Sequence, residues 1–312
     1  MDRIVNYQIE DKDAGTEILS FLRSRGFSRH ILTGMKADKH AILLNSQRGY
    51  GHSLLKTGDQ LQVRILETES SSKIIPIQME FSILYEDEDI LVINKPANMP
   101  IHPSLGNYEN TLANGVAFYY AQKGESFVYR CVNRLDRDTT GALILAKNAL
   151  SAAILSRQMR NRQIRRTYLA LVEGIPPERG TVSAPIARVE GSTIEREVNY
   201  ESGESAVTHF ERLAVGNGCS LVELHLETGR THQIRVHMKH LGYPLPGDYL
   251  FHPVYDRIRR QPLHSYQLSF THPLTGDRML FTAPVPDDFQ KAFFYPEQPD
   301  YLSRESVRSI SE

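Results

Sequence analysis

Between Cys131 and Lys147 the chain sets one carboxylate, Asp136, between two guanidiniums, Arg134 and Arg137. It then passes through Thr139-Thr140-Gly141 into the apolar run Ala142-Leu143-Ile144-Leu145-Ala146. Nearby positive charge favours the ionised form of a carboxylate, so Asp136 is predicted to act as a nucleophile or a fixed charge rather than as a proton donor. The hydroxyls and the glycine suit a tight loop, and a loop that feeds a buried strand is a frequent place for function. By residue type alone, the same stretch also describes a surface ion pair ahead of a core strand.

Two further segments carry charge in a pattern. A helix is predicted from Asn148 as its cap, with Leu150, Ile154, Leu155 and Met159 facing inward. Beyond it come Arg157, Arg160, Arg162, Arg165 and Arg166 with no acid among them, which reads either as a solvated face or as a track for phosphates. A strand from Arg166 through Tyr168 to Gly174 follows. Later, Gly229-Arg230-Thr231-His232-Gln233-Ile234-Arg235-Val236-His237 mixes imidazole and guanidinium. His232, His237 and His240 invite a zinc reading, but they lack the spacing of a helical ligand pair, no cysteine is near, and Arg230, Arg235 and Lys239 would repel a cation. No metal is expected there. The same cations suit the phosphates and bases of RNA.

The elements that must position these groups fit a chain of 312 residues with 40% hydrophobic content, enough for one large domain and a small one. A net charge of -1 argues against a uniformly basic nucleic-acid binder and moves attention to local patches. Two cysteines without CxxC spacing fit a reduced compartment, and neither a signal pattern nor a membrane-length apolar run is present. The expectation is a soluble cytoplasmic monomer. Residues 14 to 66 read as a small module. A short helix with Ile18, Leu19, Phe21 and Leu22 on one side stops at Gly26, Ser28 caps a second helix carrying Arg29, and strands follow at Ala41 to Leu44 and Gln60 to Ile65. The three serines after Glu69 mark a linker. The run Ile90-Leu91-Val92-Ile93, closed by Asn94-Lys95-Pro96, opens the larger domain as a buried strand. From Thr181 onward short alternating strands predominate, as in Val222, Leu224 and Leu226. This divides the chain into 1-75 with its linker, 76-290, and a tail over 291-312.

The loop Arg134-Leu135-Asp136, with Thr139-Thr140-Gly141 and its apolar run, resembles the signature loop of the RluA/RluD family of RNA pseudouridine synthases. The block from Ile83 to Pro103, the strand at Tyr168, the segment Leu226 to His237 and the run Gly242 to Asp248 resemble the family's remaining motifs in order. The first module is similar to an S4 RNA-binding domain through Ser28-Arg29 and Gly58-Asp59. The resemblance implies an α+β fold with a mixed, largely antiparallel sheet, preceded by a small S4-like α/β module. It implies an isomerase that turns specific uridines into pseudouridine, in ribosomal RNA more than in transfer RNA, with no cofactor. Asp136 would be catalytic, Tyr168 would contact the target base, and Arg230 would pair with Asp136. Arg134 would fill the space left by the flipped base, while Arg162, Arg165, Arg166, Arg29 and Arg235 would bind the substrate. Asn133 stands where the family usually has His, and Thr140 where it usually has Ser. The alternative is a noncatalytic RNA-binding protein that keeps the fold.

Overall fold

The computed structural model describes residues 1–104 and 106–293. Of the tail expected over 291-312, the residues after 293 lie outside the described part. The first sheet is built from β1 (Asp2–Gln8), β2 (Ile42–Leu44), β3 (Gln47–Arg48) and β4 (Gln60–Leu66), in the order β1-β4-β2-β3. Strand β1 pairs along its whole length with β4, so the sheet takes in residues ahead of the expected 14 to 66. Two short helices, α1 (Ile18–Ser24) and α2 (Arg29–Gly34), cover the sheet, and the Ser28 hydroxyl accepts the Ile31 amide to cap α2.

The second sheet has nine strands: β5 (Ser82–Glu86), β6 (Ile90–Lys95), β7 (Thr140–Ala146), β8 (Arg165–Glu173), β9 (Arg179–Ser183), β12 (Val207–Gly216), β13 (Cys219–Leu226), β14 (Leu263–Thr271) and β15 (Arg278–Thr282). A separate hairpin, β10 (Ile186–Arg188) with β11 (Arg196–Val198), stands beside it. The order is β5-β6-β7-β14-β8-β13-β12-β9, with β15 on β14. Only β7 with β14 is parallel, which makes the sheet mixed and largely antiparallel. Helices α3 (Leu112–Gln122), α4 (Ala149–Arg160), α5 (Gln233–His240) and α6 (Asp287–Phe293) complete the α-helices among the described residues.

Strand β7 is buried at every position because it lies in the middle of the sheet with both faces covered. Alternation divides its side chains: Leu143 and Leu145 join the core that includes Leu112, Val116 and Tyr120 of α3, while Ala142, Ile144 and Ala146 join Leu155 of α4 on the other face. At the entry to β7 the backbone of β14 comes so close that a Cβ on Gly141 would lie 2.2 Å from the Ser265 carbonyl oxygen. Gly141 also has φ +107°, so both space and conformation require glycine there.

Helix α4 begins where Asn148 predicts, its side chain accepting the Ser151 amide. Its apolar face is shared between two cores. Leu155 faces the large sheet, whereas Leu150 and Ile154 pack with Ile18, Phe21 and Leu22 of the first module. Arg3 adds a two-bond ion pair to the buried Asp89, at 2.8 and 3.0 Å. The serine-rich segment is held down as well: Ser70 and Ser71 accept the amides of Phe127 and Tyr129. Among the described residues no helix is long and apolar enough to cross a membrane.

Candidate active site

The loop between Asn133 and Thr140 is fixed from below before it presents any side chain. Lys95 is fully buried, and its ammonium donates to the carbonyls of Pro96, Met99 and Arg137 at 2.7 to 2.9 Å. Burial pulls the Lys95 pKa down to about 7. The Met99 amide also donates to the Arg137 carbonyl, and Arg260 donates to that of Asp138. Asn133, where the family resemblance leads one to expect His, accepts the Ile144 amide through Oδ1 and so ties the loop to β7. Thr140 bonds His264 at 2.8 Å.

Held in this way, the loop points alternate side chains in opposite directions. Arg137 turns away from Asp136 and forms a two-bond pair with Asp138, while Arg134 is exposed. The expected flanking of Asp136 by two guanidiniums is therefore corrected, because local pairing of Arg137 with its own neighbour wins. Asp136 instead meets Arg235, whose Nη1 donates to its Oδ2 at 2.9 Å.

Arg235 lies on α5 and is 1% exposed. Its Nε and Nη2 take both oxygens of the buried Asp248, at 2.6 and 2.7 Å, and the rings of Tyr249 and Phe251 lie 5.5 and 5.0 Å from the guanidinium carbon. Burial opposes the charge, but the carboxylates of Asp248 and Asp136 outweigh it and raise the guanidinium pKa. The pairing expected of Arg230 thus belongs to Arg235. Arg230 precedes α5 in a turn whose hydrogen bonds converge on Gln233, which accepts from the Arg230 amide and the Thr228 hydroxyl and donates to Val207 and Thr208. That turn aims the Arg230 side chain outward, to Glu204 and to the Ser205 carbonyl.

A cleft of about 590 Å³ opens above Asp136. Arg134, Asp136, Arg162, Arg166, Tyr168, Arg230 and His232 are among its lining residues. Tyr168 is buried on β8, two strands from β7 with β14 between them. His232 sits at the start of α5 with φ +58°, a left-handed conformation uncommon outside glycine, and its Nε2 is 3.9 Å from Asp136. The sequence sets the zinc reading of His232 aside and groups it with the cations suited to RNA, without a place beside Asp136. Its companion His237 is fully buried and bonded to Thr208 and Ala184.

The cationic run divides. Arg162 ends α4 in the left-handed conformation and pairs with Glu227 at 2.9 Å, so the expectation of arginines without partner charge is corrected at this position by an acid from β13's end. Arg165 is exposed and outside the cleft lining, Arg166 lies beside Gly229, and Arg29 is exposed on α2 in the first module. One cluster among the described residues, Asp87, Asp89 and His272, brings metal-type donors within 4.8 Å. Its atoms are already engaged, by Arg3, Asn148, Tyr85, the amides of residues 89 and 90, and one another.

Comparison with known proteins supplies the context for this geometry. The family profile for RNA pseudouridylate synthase matches residues 89–240. The uncharacterized RNA pseudouridine synthase YjbO of Bacillus subtilis is 42% identical over 267 residues, covering 85% of this chain and 94% of that protein. The chain belongs to the RNA pseudouridine synthase family. The synthase is also 35% identical to ribosomal large subunit pseudouridine synthase D of Neisseria meningitidis, over 84% of this chain and 73% of that one. Among solved structures, human RNA pseudouridylate synthase domain containing 1 aligns with a TM-score of 0.56 and 30% identity, over 66% of this chain and 83% of that one. The synthase is therefore an isomerase converting uridine to pseudouridine in RNA, with an α+β fold.

Proposed function

We propose that the synthase modifies specific uridines of large-subunit ribosomal RNA, with Asp136 as the catalytic carboxylate, Tyr168 against the base and Arg235 holding Asp136 in place. The observation that carries this reading is the carboxylate of Asp136 in a cationic cleft, 2.9 Å from a buried guanidinium that is itself anchored on Asp248. A relative named for the large ribosomal subunit supports that RNA class.

The reaction breaks the bond between uracil N1 and ribose C1', turns the base, and joins C5 to C1'. Asp136 is suited to attack C1' or to promote elimination to a glycal, since both routes use a carboxylate close to the sugar. A stacked uridine is out of reach, so the target must be flipped into the cleft, whose volume falls within the range of small-ligand sites. Arg134, exposed at the rim, would take the vacated space. Tyr168 would stack on the base, and Arg162, Arg165 and Arg166 would meet phosphates. Arg230 is better read as a rim cation than as a catalytic group, given its partners Glu204 and Ser205. No electrons are transferred overall, so the reaction calls for no redox cofactor. The first module, with Arg29 exposed, is read as S4-like and RNA-binding, and the protein as a cytoplasmic monomer. This assigns about residues 1-75 to RNA binding and about 76-290 to catalysis.

Asp136→Asn keeps the shape of the loop and removes the reacting carboxylate. Tritium release from C5-labelled uridine in RNA is expected to vanish while RNA affinity stays within a few-fold. Sustained release by the variant would overturn the assignment. Chemical mapping of pseudouridines in RNA from cells with and without the gene identifies the target, and a missing site in transfer RNA alone would overturn the ribosomal reading.

A further inference from the structure

The β10–β11 hairpin carries a pairing that its own stability does not favour. Its register sets Ile186 opposite Val198, Ala187 opposite Glu197, and Arg188 opposite Arg196. Like charges directly across an antiparallel pair are destabilising. Strand alternation puts both arginines on the face that carries Ile186 and Val198, which pack with Val236 of α5 and with Phe251, while Glu197 is exposed on the other face. The two guanidiniums thus start from the side of the hairpin turned toward α5 and the site.

No acid among the described residues answers them. Among the described residues no ion pair within 4.0 Å joins Arg134, Arg188 or Arg196 to a carboxylate, although Glu190, Glu195 and Glu197 lie on the same hairpin. Arg196 donates only to the Glu195 carbonyl, and Glu204 is taken by Arg230. The charge on Arg196 is disfavoured by burial first and then by Arg188 and Arg134, and Arg196 in turn contributes to lowering the pKa of His232, the neighbour of Asp136. The hairpin thus sets two facing cations on the side packed against α5, the helix that starts at His232 of the cleft lining.

We propose that Arg188 and Arg196 form an anion subsite that takes a backbone phosphate of RNA flanking the target uridine. This rests on the reading of the cleft as the uridine site. A phosphate diester supplies the negative charge that the fold itself does not, and guanidiniums suit it through parallel N–H donors. The hairpin is held by its apolar contacts on α5, so bound RNA would be placed relative to the same helix that carries Arg235.

The test uses the full chain with bulk RNA from cells lacking the gene, labelled with C5-tritiated uridine, so that every natural substrate is present. Arg188→Glu converts the repulsive pair into a cross-strand ion pair. We expect its melting temperature to hold or rise, its KM to rise more than its kcat falls, and its slope of log affinity against log salt to flatten by about 1 unit. The double variant Arg188→Gln with Arg196→Gln should show the same flattening without loss of stability, and the double lysine variant should recover most of the slope. A KM and a salt slope both unchanged from wild type in the folded Arg188→Glu variant or the folded double glutamine variant, with wild-type tritium release intact, would overturn the subsite and leave the cleft reading standing. No tritium release by the wild type would overturn the cleft reading and the subsite together.

Discussion

Arg235 donates through Nη1 to Asp136 at 2.9 Å while Asp248 occupies its Nε and Nη2. One planar guanidinium thus transmits the position of a fully buried carboxylate to one that is partly open to the cleft. The arrangement depends on the fork shape of arginine, because a point charge would not serve the two acids at fixed angles.

Replacing Arg235 with Lys is therefore expected to lower turnover by tens-fold or more, the equivalent of about 2 to 3 kcal/mol for a lost charge-assisted bond at the reacting group. Arg230→Lys should stay within a few-fold. Tritium-release kinetics on both variants, after circular dichroism shows them folded, decide the matter. The reverse ranking would restore Arg230 as the partner of Asp136.

Asp248 is a separate case because its chief effect is on stability. Asp248→Asn turns an amide N–H toward guanidinium donors and leaves the buried Arg235 with Asp136 as its remaining acid partner; breaking a buried pair from one side typically costs about 3 to 5 kcal/mol. The urea midpoint should fall accordingly. A variant as stable as wild type would show that Arg235 finds another acceptor.

The acid limb of stability has an identifiable contributor in Glu86. Burial raises its carboxyl pKa, but hydrogen bonds from Lys147, Tyr119 and Tyr120 outweigh this and hold it down at about 2. A depressed folded-state value means that the stabilisation is complete above the ordinary value of 4.5 and is lost as pH falls from there toward about 2. Melting temperatures measured across that window should decline more steeply for wild type than for Glu86→Gln. Parallel curves would remove Glu86 from the account.

The two cores of α4 suggest a caution for deletion experiments and a direct test. Leu150 is fully buried against the first module, so Leu150→Ala should destabilise the protein by about 2 to 5 kcal/mol, whereas an exposed leucine would show little change. Removal of residues 1 to 66 would uncover this face and confuse loss of RNA contacts with loss of packing. Arg29→Gln is the cleaner probe of RNA binding: a raised KM with unchanged kcat is expected, and an unchanged KM would count against that role.

Much of this protein was legible in local sequence. Asn148 and Ser28 announce helix starts because a cap needs only a short polar side chain and the next turn of backbone. The apolar run of β7 announces a central strand, and the order of motifs around Asp136 and Tyr168 announces the family, since each signal is complete within a short stretch of chain. The first strand escapes a local reading because β1 alternates exposed with only half-buried residues and gains its place from β4, almost sixty residues away.

Only the tertiary structure decided which arginine meets Asp136. Arg230 and Arg235 share one motif, and composition cannot distinguish a residue in a turn from one on the helix that follows. The turn knitted by Gln233 sends Arg230 to Glu204, while burial of α5 beside Asp248 sends Arg235 to Asp136, across 99 positions of sequence. Likewise, the facing of Arg188 on Arg196 and the closure of Arg162 on Glu227 follow from strand register and chain reversal. Charge acts through space, so the identity of a partner depends on distances that the order of residues does not contain.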